Sequence, residues 1–245
     1  MTLNKDAGIV FDAGPFISMT LSGTLWVLEA LKKKYKGQFY ITPAVKKEII
    51  DRPLTTKKYK FESIRVMPYL ANGTITLIDN KEIENKTKEI LELANNCFFL
   101  KNKPIKILHD GETESIAACL ILGAKTIVID ERTTRYLIEA PEKIKKRLER
   151  KLHSRIEVDS NKLKELNKEF KEIIPIRSTE LLTIAFEKEL FNFYKYSNVN
   201  KIDDFDKTVL EGILWALKLN GCAILDTEIN EILKIENKNF KKQNK

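Results

Sequence analysis

Asp12, Glu48, Glu112, Glu114 and Asp130 stand where folding alone gives a carboxylate little to do. Asp12 ends the apolar run GIVFD and Asp130 ends TIVID; Glu48 lies one turn into PAVKKEII, and Glu112 and Glu114 open the stretch GETESIAA. An acid directly after four apolar residues is an awkward neighbour for a core, because a buried unpaired carboxylate is costly. Several carboxylates sharing one crevice repel one another, which raises their pKa values. A divalent cation removes that conflict. Oxygen-only ligands, without His or Cys, suit Mg²⁺ or Mn²⁺. Such an ion activates water and stabilises an in-line displacement at phosphorus. A single strand-end Asp is ordinarily a helix cap or turn residue. Four acidic positions in this order, with Glu112 or Glu114 as the third, are what point to chemistry.

The elements that must hold these acids follow from periodicity. GIVFD, residues 39–42, TITLID and TIVID read as short, largely buried strands, and residues 173–176 as another. Between them lie helical stretches: residues 24–34, the AVKKEII segment after Pro43, residues 57–70, residues 81–95 and the face Ile116, Ala117, Leu120 and Ile121, closed by Gly123. Further helices are expected over 179–191, 206–219 and 226–235, with a polar loop at 197–204. Strands alternating with helices imply a mostly parallel sheet covered on both faces. Ligands of such sheets bind at the carboxyl ends of the strands, which is where Asp12 and Asp130 fall.

Composition narrows the classes. The chain has 245 residues and a formal charge of +8, from 43 Lys and Arg against 35 Asp and Glu, which favours an anionic partner such as nucleic acid. Cys97, Cys119 and Cys222 are far apart, without CxxC spacing, so neither a disulfide framework nor a Cys-ligated zinc is expected. His109 and His153 are too few for a His-rich centre. No apolar run is long enough to span a membrane, and the polar N-terminus lacks the apolar core of a signal peptide, so a cytoplasmic location is expected. A haloacid-dehalogenase-type phosphatase needs a second Asp two residues after the first, and Gly14 stands there. A dinucleotide-binding fold needs GxGxxG, which AGPF does not supply.

FDAGPFISM, ITPAVKKEI and HDGETESIAACLILGAKTIVIDERTTRYL resemble, in order, the sequence blocks of PIN-domain ribonucleases. The resemblance implies a three-layer α/β/α sandwich around a central parallel sheet. It also implies metal-dependent cleavage of single-stranded RNA, or of a flap in structured nucleic acid, with Asp12, Glu48, Glu112 or Glu114, and Asp130 holding one or two Mg²⁺ or Mn²⁺ ions. Glu112 is the favoured third ligand, since two residues apart on a helix the two acids point in different directions. Arg135 matches an Arg that the family often carries a few positions after its fourth acid, and Ser178, after the last strand, sits where the family often places a polar residue near the metal, a helix cap being the alternative; both are expected to contact nucleic acid. IPIRSTELLTIAFEKELF and LEGILWALKLNGCAILDTEINEILK resemble the family's closing segments, so the PIN-like domain is expected over 1–140 and 173–235. A homodimer, an antitoxin or a ribonucleoprotein partner would each fit the family. The rival expectation is a PIN-like scaffold that binds RNA or protein without cutting.

Residues 141–172 depart from the resemblance. Lys143 to Arg155 holds seven basic residues and one acid, and the stretch reads as two polar helices broken near Glu157. This insertion is expected to be a helical arm projecting from the core. Lys143, Lys146, Arg147 and Arg150 would extend an RNA-binding face, and Ile144, Leu148 and Leu152 offer a dimerisation stripe as the alternative. Residues 236–245 are expected to be a basic tail.

Overall fold

The computed structural model describes residues 8–196 and 204–243. The expected loop at 197–204 lies outside them except for Asp204, as do the N-terminal residues 1–7 and the last two residues of the tail. In chain order the elements are β1 (Gly8–Phe11), α1 (Ala13–Leu21), α2 (Val27–Lys34), β2 (Gln38–Ile41), α3 (Pro43–Lys46), a π-helical turn (Lys47–Asp51), α4 (Arg52–Leu54), α5 (Lys60–Ala71), β3 (Thr76–Leu77) and α6 (Lys81–Ala94). There follow β4 (Phe98–Leu100), β5 (Lys103–Pro104), α7 (Asp110–Leu122), β6 (Thr126–Val128), α8 (Arg132–Glu139), α9 (Glu142–Leu152), β7 (Glu157–Val158) and α10 (Ser160–Phe170). The chain closes with β8 (Ile174–Ile176), α11 (Ser178–Glu187), a 3-10 turn (Asn192–Tyr196), α12 (Phe205–Leu219) and α13 (Asp226–Gln243).

Five strands form one parallel sheet in the order β3-β2-β1-β6-β8. Side chains alternate across it, as the period of two demands. Val10 faces one core and Phe11 the other; Ile127 and Ile129 take the first side and Val128 the second. Helices α6 to α10 cover the Val10 face, and α1, α2, α5, α11, α12 and α13 cover the Phe11 face. This is the α/β/α sandwich expected from the alternation. Because β2 lies on one side of β1 and β6 on the other, the order reverses between β1 and β6. The crevice of such a sheet opens there, at the strands' carboxyl ends.

Three expectations are corrected. The segment 141–172 does not project: Ile144, Ile156, Leu166 and Phe170 are buried in the Val10-side core, and Lys86 on α6 pairs with Glu169 on α10 at 3.0 Å. The dimerisation stripe therefore loses Ile144 to the protein's own interior, while Leu152 stays exposed. The break near Glu157 is β7, which pairs antiparallel with β4 in a second, three-stranded sheet with β5. The expected tail begins as helix, since α13 continues through Gln243.

Candidate active site

Asp12 is the N-cap of α1: its carboxylate accepts the Gly14 N–H at 3.4 Å, and its own N–H donates to Val128 O at 3.0 Å, tying the end of β1 to β6. Cap and candidate ligand are thus one side chain. Gly14 permits this closeness. A Cβ there would stand 3.3 Å from the Asp130 Cβ, which would have to give by a few tenths of an ångström, and 3.7 Å from Asp12 Oδ2, an ordinary contact. Asp130, two residues beyond β6, is buried and fully engaged. Its Oδ1 accepts the Ser178 N–H at 2.8 Å, and its Oδ2 accepts hydroxyl protons from Ser18 and Ser178, each at 2.8 Å. Ser178 is the first residue of α11, so Asp130 satisfies one of that helix's orphan N–H groups.

Asp12, Glu48, Glu112 and Asp130 line one crevice of about 380 Å³, together with Glu131, Arg132 and Arg147. Glu48 reaches it from the π-helical turn after α3, an irregularity common at functional sites. Glu112 stands in the first turn of α7 and accepts the His109 N–H at 3.3 Å. Glu131 caps α8, accepting the Thr134 N–H at 2.7 Å. Burial, then the charges of Glu112 and Glu48, push the Asp12 carboxyl up to about 7 against the pull of the Ala13 and Gly14 N–H groups. Burial, and after it the Glu131 carboxylate, raises Glu112 as well. The family model for the PIN domain matches residues 8–145, over half of the chain. The chain belongs to the PIN-domain family. No curated protein and no solved structure matches it.

In this PIN domain, other residues anticipated at the site fall elsewhere. Glu114 turns away from the crevice and accepts the Ala44 N–H at 2.7 Å, capping α3. It is a tether between α7 and α3, which removes it from the set of candidate metal ligands. Ser178 is fully buried, so it touches Asp130 and no substrate. Arg135 is also buried, and its Nε has no hydrogen-bond partner among the described residues. It is not a surface contact for nucleic acid. Of the four α9 residues anticipated on the RNA-binding face, only Arg147 reaches the crevice. Lys143 lies over the Tyr136 ring at 5.6 Å, Arg150 Nε donates to Lys146 O at 3.4 Å, and Lys143, Lys146 and Arg150 are exposed.

Sequence reasoning missed Ser18, Gly14 as a spacer, Arg132, and the Gly221 and Ala223 that close the crevice. Ser18 had a signal: it is a hydroxyl on the buried face of an apolar helix. Gly221 and Ala223 had none, because their place depends on how α12 docks. Ala223 N–H donates to Asp130 O at 3.2 Å.

Proposed function

We propose that this PIN domain is a divalent-metal-dependent endoribonuclease. Family membership suggests nuclease-type chemistry, and RNA, metal and residue roles are our reading of the crevice. The observation that carries it is the convergence of Asp12, Glu48, Glu112 and Asp130 at the switch point of the sheet.

The donor set fits Mg²⁺ or Mn²⁺: it is all oxygen, and a carboxyl driven up to about 7 by burial and then by the charges of Glu112 and Glu48 is a site short of positive charge. Among the described residues no group of three or more His, Cys, Asp or Glu forms a ready-made metal cage. Asp130 is spent on Ser18 and Ser178. Asp12, with Glu48 and Glu112 facing it, would hold the ion, and Asp130 would accept hydrogen bonds that lock the α1–α11 wall. When bound, the ion supplies charge stabilisation and an acidified water. The chain itself orients the phosphodiester. Arg147 neutralises a phosphate oxygen at the rim, and Glu131 and Glu112, which line the same crevice, cap α8 and α7.

Incubating long single-stranded RNA with the full chain, in Mn²⁺, Mg²⁺ or EDTA, tests this on a denaturing gel. Cleavage with metal that Asp12→Asn abolishes is expected. RNA that is bound but uncut under every metal would favour the non-cutting scaffold.

A further inference from the structure

Helix α5 carries its polar and apolar residues the wrong way round for a helix that faces water. Ser63 is buried and donates to Tyr59 O at 3.1 Å, and half-buried Arg65 reaches inward to Thr20 O at 2.8 Å. Beyond Lys60 the exposed positions are Phe61, Ile64, Met67, Pro68 and Ala71, all of them apolar. Phe61 is 67% exposed, Ile64 48% and Met67 44%. Phe61, Ile64, Pro68 and Ala71 follow the alternating three-and-four spacing of a helix–helix seam. A contiguous apolar face of this kind marks an interaction site. It is also the outer side of a wall of the acidic crevice. Ser63 and Val66 of α5 line one apolar cavity, of about 70 Å³, with Glu48 and Ile49 of the π-helical turn.

Charge indicates what covers the face. Lys57, Lys58 and Lys60 stand exposed at the start of α5, and among the described residues none of them makes an ion pair. They crowd the positive end of the helix dipole, where cations are disfavoured. At the other end, residues 67–72 include no Lys, Arg, Asp or Glu, so the negative pole has no cation of its own. We propose that the outer face of α5 is a self-association surface, on which a second copy of the chain seats its own α5 antiparallel. The two-fold axis passes between Ile64 and Pro68. Phe61 then stands over the partner's Ala71, a large side chain against a small one, and Ile64 stands beside the partner's Pro68. Each lysine cluster meets the negative pole of the other helix, whereas a parallel pair would bring the two clusters together. One face of a 12-residue helix is smaller than the ~800 Å² per partner of a standard interface, so the dimer is reversible and micromolar. It needs neither RNA nor metal, and the inference is independent of the reaction assigned to the crevice.

Sedimentation velocity of the full chain, over a concentration series reaching the hundred-micromolar range, reads the association directly. The wild type should pass from monomer to dimer. Phe61→Ala with Ile64→Ala and Met67→Ala should raise the dissociation constant more than about tenfold. These residues are exposed, so the variant's melting at submicromolar concentration should match that of the wild type. Lys57→Ala with Lys58→Ala and Lys60→Ala should weaken the dimer a few-fold at low salt and leave it unchanged at ~1 M salt, where the charges are screened. Oxidative crosslinking reads the geometry, and the native Cys97, Cys119 and Cys222 are buried and so give little background. Met67→Cys, next to the axis, should form a disulfide-linked dimer by itself. Phe61→Cys should not, but should crosslink when mixed with Ala71→Cys. A wild-type chain that stays monomeric throughout the series would overturn the proposal and leave the face to a different protein. A dimer indifferent to the Phe61, Ile64 and Met67 triple would overturn it too, as would Phe61→Cys crosslinking to itself, the mark of a parallel pair.

Discussion

Asp12 sits buried against Glu112 and Glu48, and the conflict has a sign that can be measured. An unfolded Asp releases its proton near pH 4. The folded chain keeps it to about pH 7. Between those values the unfolded state has lost a proton that the native state still holds, so stability is full below about pH 4 and falls as pH rises to about 7. Glu112, also raised, pulls in the same direction. In EDTA, the Tm is therefore expected to decline from pH 5 to pH 8. Asp12→Asn should flatten that decline and add about 1–3 kcal/mol at pH 8, while abolishing cleavage. Mn²⁺ should raise the wild-type Tm at pH 8 and leave the variant's unchanged, since an ion that binds only the native state stabilises it. A wild-type chain with identical melting in EDTA and Mn²⁺ would contradict the metal site. Ser178→Ala removes one of the hydroxyls on Asp130 and keeps the backbone N–H. It should cost about 1–2 kcal/mol and lower kcat with KM unchanged, because the carboxylate loses its orientation and the substrate loses no contact. A change in KM alone would place Ser178 on the substrate after all.

At the level of elements, the main sheet was legible because each strand is a short apolar run of β-branched or aromatic residues bounded by a turn or a helix cap. GIVF, TIV and IPI became β1, β6 and β8 almost as written. TITLID shrank to two residues, Thr76 and Leu77, because β3 is the sheet's edge and pairs only with β2. The β4–β5 hairpin was not legible. Its two-residue turn is Lys101-Asn102, both at positive φ, and Lys is an uncommon choice for a conformation usually signalled by Asn-Gly. In sequence the helices of 141–172 resemble an arm because their charges dominate and the buried residues are few and spaced. Packing of Ile144, Leu166 and Phe170 against α6 and α8 is a tertiary fact that no local pattern announces. Phe170→Ala is accordingly expected to lower stability by about 3–5 kcal/mol, as for a core aromatic. Denaturant unfolding checks it: a cost under about 1 kcal/mol would restore the projecting arm. Of the four acids, Asp12 and Asp130 could be placed from sequence because strand ends define where a residue sits. The Glu112 and Glu114 ambiguity could not be closed until α3 was seen to take Glu114.

For the molecule as a whole, the family match stops at residue 145, yet the site does not. Ser178 on α11 positions Asp130, Ala223 binds its backbone, and Leu182, Leu214 and Ile229 share the Phe11-side core with Phe16 of α1. The C-terminal helices are thus a wall of the same domain. Their fastening is Arg177, nearly buried, which pairs with Glu180 on α11 and with Glu228 on α13 at 3.0 Å. Burial works against both carboxylates, but the hydrogen bonds and charge of Arg177 hold Glu180 and Glu228 below their ordinary range. Removing the shared cation leaves two acids facing each other. Arg177→Ala should cost about 2–3 kcal/mol, below the figure for a wholly buried pair because about a third of each acid's side chain remains in water. Glu228→Ala should cost less, since Glu180 keeps the guanidinium paired. In a double-mutant cycle the two changes should couple, and hydrogen exchange should rise first in α13, which Arg177 ties by charge to the residue that follows β8. Additive effects with uniform exchange would show that apolar packing of Ile229 and Leu233 holds α13 by itself.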